Sequence, residues 1–215
     1  MYIYQVDRRL LQTQVRLASS HLRGRVLNVG SGTAERYSPP VEVTEYVRMD
    51  ISGGPNVDVV GRAEDIPFPD ASFDSVLSTK VFEHVENPEL AAAEVSRILK
   101  RGGKLLITVP QWNELHEEPH DYWRYTKFGL QALFERHGCK LIQMDQRGGY
   151  YSVRAQMRIR FAIDKWHLHS RPILGRAASR FFKVWGSFAI WRDQRDTSVA
   201  NRKHAIGWCA VFEKA

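Results

Sequence analysis

One run of nine residues constrains this chain more than any other: Val26-Leu27-Asn28-Val29-Gly30-Ser31-Gly32-Thr33-Ala34. A β-branched apolar run breaks into two glycines one residue apart. That reads as a buried strand, a tight turn and then a helix. Glycine suits such a turn because the backbone must bend sharply, and a ligand can lie against it with no Cβ in the way. Ala34 takes the third small position, where a larger side chain would hold helix and strand apart. A purely steric turn would use the same residues, so the meaning of the motif depends on the residues C-terminal to it.

Those residues alternate between two periodicities. Residues 25–29, 45–49, 57–60, 73–78, 104–109, 140–144 and 206–212 read as strands. Residues 4–22 read as an amphipathic helix on the domain edge, with Val6, Leu10, Leu11, Val15, Ala18 and Leu22 inward. Asn87 caps a second helix with Pro88 at its first position. Its buried stripe is Leu90, Val95, Ile98 and Leu99, and Gly102-Gly103 is its stop. Thr126 opens a third, carrying Phe128, Leu130, Leu133 and Phe134 and ending at Gly138. Strands and helices in short alternating units argue for an α/β, doubly wound, mainly parallel sheet. A length of 215 residues with 43% hydrophobic content suits one domain over 1–215.

Composition removes several classes of function. Cys139 and Cys209 lie far apart with no C-x-x-C spacing, so neither a zinc site nor a disulfide framework is indicated. Asp7, Arg8, Arg9 and Arg16 interrupt any signal-peptide core, and no uncharged run is long enough to span a bilayer. A cytoplasmic setting is the expectation.

In an open sheet of this kind, ligands sit at the carboxyl ends of the strands where the strand order reverses. Asp50 ends the second strand, 18 positions beyond Gly32. A carboxylate there can accept both hydroxyls of an adenosine ribose, although aspartate also caps turns for local reasons. Ile51 is its neighbour. After the third strand come Glu64, Asp65 and Ile66, an acid beside an apolar residue, a pair that suits an adenine amine and ring face. After the fourth come Ser78 and Thr79, then Glu83-His84.

These stretches, in this order, resemble the class I S-adenosylmethionine-dependent methyltransferases. The resemblance rests on residues 26–34, Asp50, 63–68, Phe73-Asp74-Ser75-Val76, Phe82-Glu83-His84-Val85 and 97–103, and covers roughly residues 25–145. It implies a Rossmann-like, seven-stranded, mostly parallel sheet with an antiparallel last strand. It places S-adenosylmethionine across Asn28, Gly30, Ser31, Gly32, Asp50, Ile51, Glu64, Asp65, Ile66, Ser78 and Thr79. The run Pro119-His120-Asp121-Tyr122-Trp123-Arg124-Tyr125-Thr126 is similar to a signature of a bacterial subgroup acting on small molecules or glycans. One departure stands out: the family usually carries an acid at Asn28, near the cofactor's ammonium. Asparagine keeps the acceptor and loses the charge, which weakens that hydrogen bond. A nicotinamide dehydrogenase would not need Glu64-Asp65-Ile66 or Glu83-His84. Methylation of nucleobase amines usually goes with Asn/Asp-Pro-Pro-aromatic, where this chain has Ser78-Thr79-Lys80-Val81.

A sulfonium carries its own leaving group, so the protein mainly positions the acceptor and excludes water. A hydroxyl acceptor also benefits from a base, and the candidates are His120, His116 and His84. Asp121, Tyr122 and Arg124 are the acceptor-binding candidates. His116 and His120 could hint at a metal, but Pro119 spoils a continuous helix between them, and no metal is assigned.

The layout that emerges is an N-terminal helix over 1–24, a cofactor core over 25–146, an insertion over 147–204 and a last strand over 205–215. From 151 to 204 there are 12 Lys/Arg against Asp164, Asp193 and Asp196, a net +9, while the whole chain carries +7. A loop of that length must be helical. Within 173–191, Arg176, Arg180 and Lys183 stack on one face, with Leu174, Ala178, Phe181, Trp185 and Phe188 opposite; Phe161, Trp166 and Trp191 add aromatics nearby. Region 153–191 therefore reads as a lid or homodimer face, or as a peripheral contact with the inner face of a membrane. RNA is a further option, without a recognisable module, and DNA is not expected. The expected function is methyl transfer to a hydroxyl of a small-molecule, glycan or lipid-linked acceptor. The alternatives are a methyltransferase-like binding protein without turnover, or a membrane- or RNA-docking protein that works through the basic insertion.

Overall fold

The computed structural model describes residues 2–32 and 42–215, so Ala34 and the segment after the glycine turn lie outside the described residues. The strands are β1 (Gly24–Val29), β2 (Val43–Asp50), β3 (Val59–Val60), β4 (Phe73–Thr79), β5 (Leu99–Pro110), β6 (Cys139–Arg147) and β7 (Gly207–Lys214). They form one sheet in the order β3-β2-β1-β4-β5-β7-β6. Pairing is parallel from β3 through β5, and β7 is antiparallel. Val26, Leu27, Asn28 and Val29 are buried consecutively, the pattern of a strand covered on both faces. The chain runs outward from β1 to β3 and returns on the other side of β1 at β4, so the strand order reverses between β1 and β4.

Helices α1 (Val6–Ala18), α2 (Pro88–Ile98) and α3 (Lys127–Arg136) form where spacing and caps predict. The Asn87 side chain accepts from Leu90 N at 3.2 Å, and Thr126 Oγ1 accepts from Gly129 N at 3.1 Å, each satisfying a first-turn amide. Three expectations need correcting. First, Leu90 lies 53% exposed because Ala91, Ala92, Val95 and Ile98 occupy the inward face. Second, Phe128 is 69% exposed, one helical step off the Leu130–Leu133–Phe134 stripe. Third, α2 stops at Ile98, not at the glycine pair, and Gly102 and Gly103 lie inside β5. Gly103 has a steric reason to be there: a Cβ would sit 2.7 Å from Lys100 O and 3.1 Å from Asp74 O.

The chain divides into two compact units. One gathers residues up to Gln14, Trp112–Glu114 and Gln146–Gly207; the other holds Val15–Gln111, Leu115–Asp145 and Trp208–Ala215. The insertion is helical, as its length requires: α4 (Tyr150–Lys165), α5 (Pro172–Arg195) and the short α6 (Val199–Arg202). Ile3, Tyr4 and Val6 share a core there with Ile159, Phe182 and Ile206. Inside this unit Arg147 pairs with Asp7 at 2.8 Å, both side chains almost fully buried. Asp193 of α5 accepts from Gly149 N, Tyr151 N and Ser152 N at 2.9–3.0 Å, closing the first turn of α4. The insertion also leaves and returns at neighbouring points. Ile206 N donates to Arg147 O at 2.8 Å, and Gln146 Nε2 donates to His204 O at 2.7 Å.

The apolar face of α5 that the sequence outlines is divided in the structure. Gly175, Phe182, Gly186 and Ala189 are buried, with Ala178 and Trp185 partly so, while Leu174, Phe181 and Phe188 are exposed. Small residues win the inward side because the neighbours come close: a Cβ on Gly186 would meet Tyr4 Cε1 at 2.7 Å and Val6 Cγ2 at 2.8 Å.

Candidate active site

All the site residues named from sequence fall in one of the two units, at or beyond the carboxyl ends of β1 to β5. Gly30 and Gly32 adopt φ of +68° and +66°, the left-handed region that disfavours a side chain. A Cβ on Gly30 would lie 2.2 Å from Val81 Cγ2, whereas one on Gly32 would meet nothing within 4 Å among the described residues. Asp50 ties the turn to β2: its Oδ2 accepts from Gly32 N at 2.8 Å and its Oδ1 from Ser52 N at 3.1 Å. Each carboxylate oxygen keeps lone-pair capacity for a further donor. Ser31 N donates to Met49 O at 3.1 Å, which seats the turn on the end of β2.

Three buried polar atoms near these strand ends have no hydrogen-bond partner among the described residues: Asn28 Oδ1, Ser78 Oγ and Thr108 Oγ1. Buried polar atoms are rarely left so without a ligand or water to complete them. An acceptor at Asn28 suits an ammonium, and the open Gly32 backbone suits a group that must approach closely. The residues therefore fit S-adenosylmethionine.

For the ring pocket the structure shifts the emphasis. Ile66 is 2% exposed and enclosed, whereas Ile51 is 62% exposed next to Asp50 and offers the open apolar surface there. Asp65 is exposed, and Glu64 pairs with Arg62 at 3.3 Å. Two residues that sequence reasoning missed hold this loop. Glu94 Oε2 accepts from Ile66 N at 2.9 Å, while Arg97 donates to Ile66 O at 3.0 Å and to Phe68 O at 2.8 Å. An acid and an arginine at i,i+3 on α2 were the available signal.

Residues 111–126 form an irregular loop after β5, without a helix across Pro119. This loop is pinned to the turn after β4. Tyr122 N and Trp123 N donate to Glu83 O at 2.8 and 3.1 Å, Trp123 Nε1 donates to Val85 O at 2.8 Å, and Tyr125 Oη donates to Phe82 O at 2.9 Å. Burial, and then the Glu83 carboxylate, raise the Tyr125 phenol well above its ordinary range, so it stays a donor.

The loop gathers the histidines. The ring of His84 meets that of His116 edge-on at 4.9 Å, and His84 Nδ1 donates to His120 O at 2.6 Å. His116 Nδ1 lies 3.3 Å from Asp121 Oδ2, which also accepts from His116 N at 3.0 Å. Arg124 clamps the same carboxylate through two bonds of 2.7 Å. Asp121 is only 2% exposed in its side chain, and the Arg124 guanidinium lowers its carboxyl from 3.8 to about 2. It is an anion throughout the physiological range. His120, by contrast, is exposed and meets Tyr122 Oη at 3.1 Å, which in turn donates to Glu86 at 3.0 Å. Glu86 is a second residue the sequence did not single out. Glu83, His84 and His116 bring three ligand-type atoms within 4.8 Å of one another, a set that could hold a divalent cation.

Known proteins resemble this chain in sequence and in fold. Residues 27–107 match the family model of a methyltransferase domain. A Methanocaldococcus jannaschii protein, MJ1123, is 29% identical over 168 residues, 73% of this chain and 79% of its own. These likenesses support a class I S-adenosylmethionine-dependent methyltransferase. Another relative aligns over a shorter stretch. The demethylmenaquinone methyltransferase of Renibacterium salmoninarum is 35% identical over 94 residues, 39% of this chain and 40% of that enzyme, so the methyltransferase chain spans well under half the length of that relative. The Burkholderia thailandensis 1,6-didemethyltoxoflavin-N1-methyltransferase, solved with S-adenosylhomocysteine, shares the fold. It has a TM-score of 0.60 at 12% identity, with 97% of this chain and 80% of that one covered.

Proposed function

We propose that this methyltransferase transfers methyl to a hydroxyl of a small-molecule, glycan or lipid-linked acceptor, with His116 as the general base. One observation carries the reading: a buried, permanently ionised Asp121 held against His116 Nδ1 and fixed by Arg124. A carboxylate on one ring nitrogen sets the tautomer and stabilises the imidazolium that forms when the other nitrogen takes a proton. A hydroxyl needs that help, because it is a weak nucleophile while protonated. Among the described residues no buried carboxylate backs His120; with Tyr122 and Glu86 it reads as an acceptor-binding edge instead. His84 braces the loop through His120 O.

S-adenosylmethionine, when bound, supplies an electrophilic methyl on a positively charged sulfur. Gly30, Gly32 and Asn28 would hold its amino acid end, Asp50 its ribose and Ile51 its ring. The anchored 111–126 loop places the base and limits the water that competes for the methyl.

The test begins with calorimetric titration of S-adenosylhomocysteine into the protein and into Asp50→Ala. Binding lost in the variant supports the cofactor assignment, and no binding to the unaltered protein sinks it. Labelled S-adenosylmethionine offered with panels of alcohols and amines then tests the acceptor class. Label in alcohols, abolished by His116→Ala and retained in His120→Ala, supports the proposal. Label in amines alone, indifferent to His116→Ala, refutes it.

A further inference from the structure

We infer that α5 is a peripheral docking helix for an anionic lipid surface. This rests on the helical unit alone and is independent of the acceptor chemistry proposed above. Along its 24 residues, an outward stripe runs through Ile173, Ala177, Phe181, Val184, Phe188 and Trp191. At 100° per residue these fall within about a 100° arc. The stripe is open: Ile173 is 86% exposed, Phe181 65%, Val184 73% and Phe188 55%. It would extend for about 27 Å at 1.5 Å per residue. Arg176, Arg180 and Lys183 border it and are exposed, and Arg195 lies over the Trp191 ring at 4.5 Å.

Amphipathic helices normally bury their apolar stripe, but α5 seats Gly175, Phe182, Gly186 and Ala189 on the core and leaves a second apolar stripe in solvent. A contiguous exposed apolar stripe of this kind marks an interaction surface. Charge decides the occupant. Residues 151–204 carry 12 basic and three acidic groups, and two of those acids are committed within the unit. Asp193 caps α4, and Asp164 lies 3.8 Å from Arg160. A second copy of the chain would set Arg180 and Lys183 against like charges. Single-stranded nucleic acid would find arginines and aromatics, but would have no use for the exposed aliphatic side chains of Ile173 and Val184 in the stripe. An anionic bilayer satisfies both features at once, with phosphates for the rim and acyl chains for the stripe. No described helix is long and apolar enough to cross a membrane, so α5 would lie in the interface.

The experiment is flotation of the full chain with vesicles of phosphatidylcholine alone and of phosphatidylcholine mixed with phosphatidylglycerol. The protein is expected to float with the mixed vesicles and not with the neutral ones. Each basic residue at the rim should contribute about fivefold in partitioning, so Arg176→Glu/Arg180→Glu/Lys183→Glu should abolish flotation. Phe181→Ser/Phe188→Ser, exposed positions that leave the core intact, should weaken it roughly tenfold or more. Unchanged thermal melts would show that both variants fold. No flotation of the unaltered protein overturns the inference. Flotation insensitive to Phe181→Ser/Phe188→Ser also overturns it, since simple charge attraction would then suffice. A concentration-dependent dimer in sedimentation, dissolved by the same two substitutions and without vesicle binding, would assign the stripe to a second copy and equally overturn it.

Discussion

Asp121→Asn is the substitution that most directly probes the base. In the native protein this carboxylate accepts from two guanidinium nitrogens and one backbone amide and faces the His116 ring. Its carboxyl falls from 3.8 to about 2. At ~1.4 kcal/mol per pH unit, that difference is worth about 2 kcal/mol of folding stability. Asparagine cannot recover it, because its amide nitrogen is a donor placed among donors. The sign comes from the depressed folded-state value. The contribution is complete above the unfolded value near 4 and is lost as pH falls from there to about 2. Urea unfolding of both proteins should therefore show a gap of about 2 kcal/mol from pH 8 to 5, closing between pH 4 and 2. In a thermal scan at neutral pH the same gap is about 4–8 °C. Turnover of the variant should collapse while its affinity for S-adenosylhomocysteine is retained. A stability gap that ignores pH would refute the ionic account of Asp121. An equal loss of cofactor affinity would refute its assignment to the base.

Asn28→Asp should bind S-adenosylhomocysteine about five- to tenfold more tightly by calorimetry, since a charged acceptor roughly doubles a hydrogen bond to an ammonium; unchanged or weaker binding would place that group elsewhere. Arg147→Met removes one half of a buried ion pair and should cost about 3–5 kcal/mol in denaturant unfolding. Gly186→Leu forces a side chain into Tyr4 and Val6 and should cost about 1–3 kcal/mol, read by the same method. Incubation with EDTA should leave methyl transfer unchanged; loss of activity restored by a divalent ion would instead give Glu83, His84 and His116 a catalytic metal.

The glycine turn and its acid were legible because their geometry is local. A tight turn needs closely spaced glycines, and a carboxylate that ends the next strand of one βαβ unit can reach back to it, so Gly30, Gly32 and Asp50 stand out in order and meet at Gly32 N. The base was harder to read. His116 and His120 carry the same signal in one dimension, and only the folded loop shows which of them has Asp121 and Arg124 behind it. Ile51 and Ile66 were ambiguous in the same way, since both are apolar residues near a strand end and only burial separates them. For α5 the periodicity showed an amphipathic helix but left open which side turns inward. A 3.6-residue pattern identifies an apolar stripe, yet the inward face was chosen by how close Tyr4 and Val6 approach at Gly186. A helix whose sticky side faces outward breaks the usual rule, and such breaks concentrate where a protein has work to do.

The insertion departs from the end of β6 and rejoins just before β7 through adjoining backbone bonds at Arg147, His204 and Ile206. A segment whose two ends already touch can be gained or lost without stretching the strands on either side. Here, however, it would not travel alone. Ile3, Tyr4 and Val6 are built into its core and Asp7 neutralises Arg147, so the opening residues and the insertion form a single cassette. A recombinant that grafts residues 148–205 onto another sheet should stay insoluble until residues 2–14 are transplanted with it.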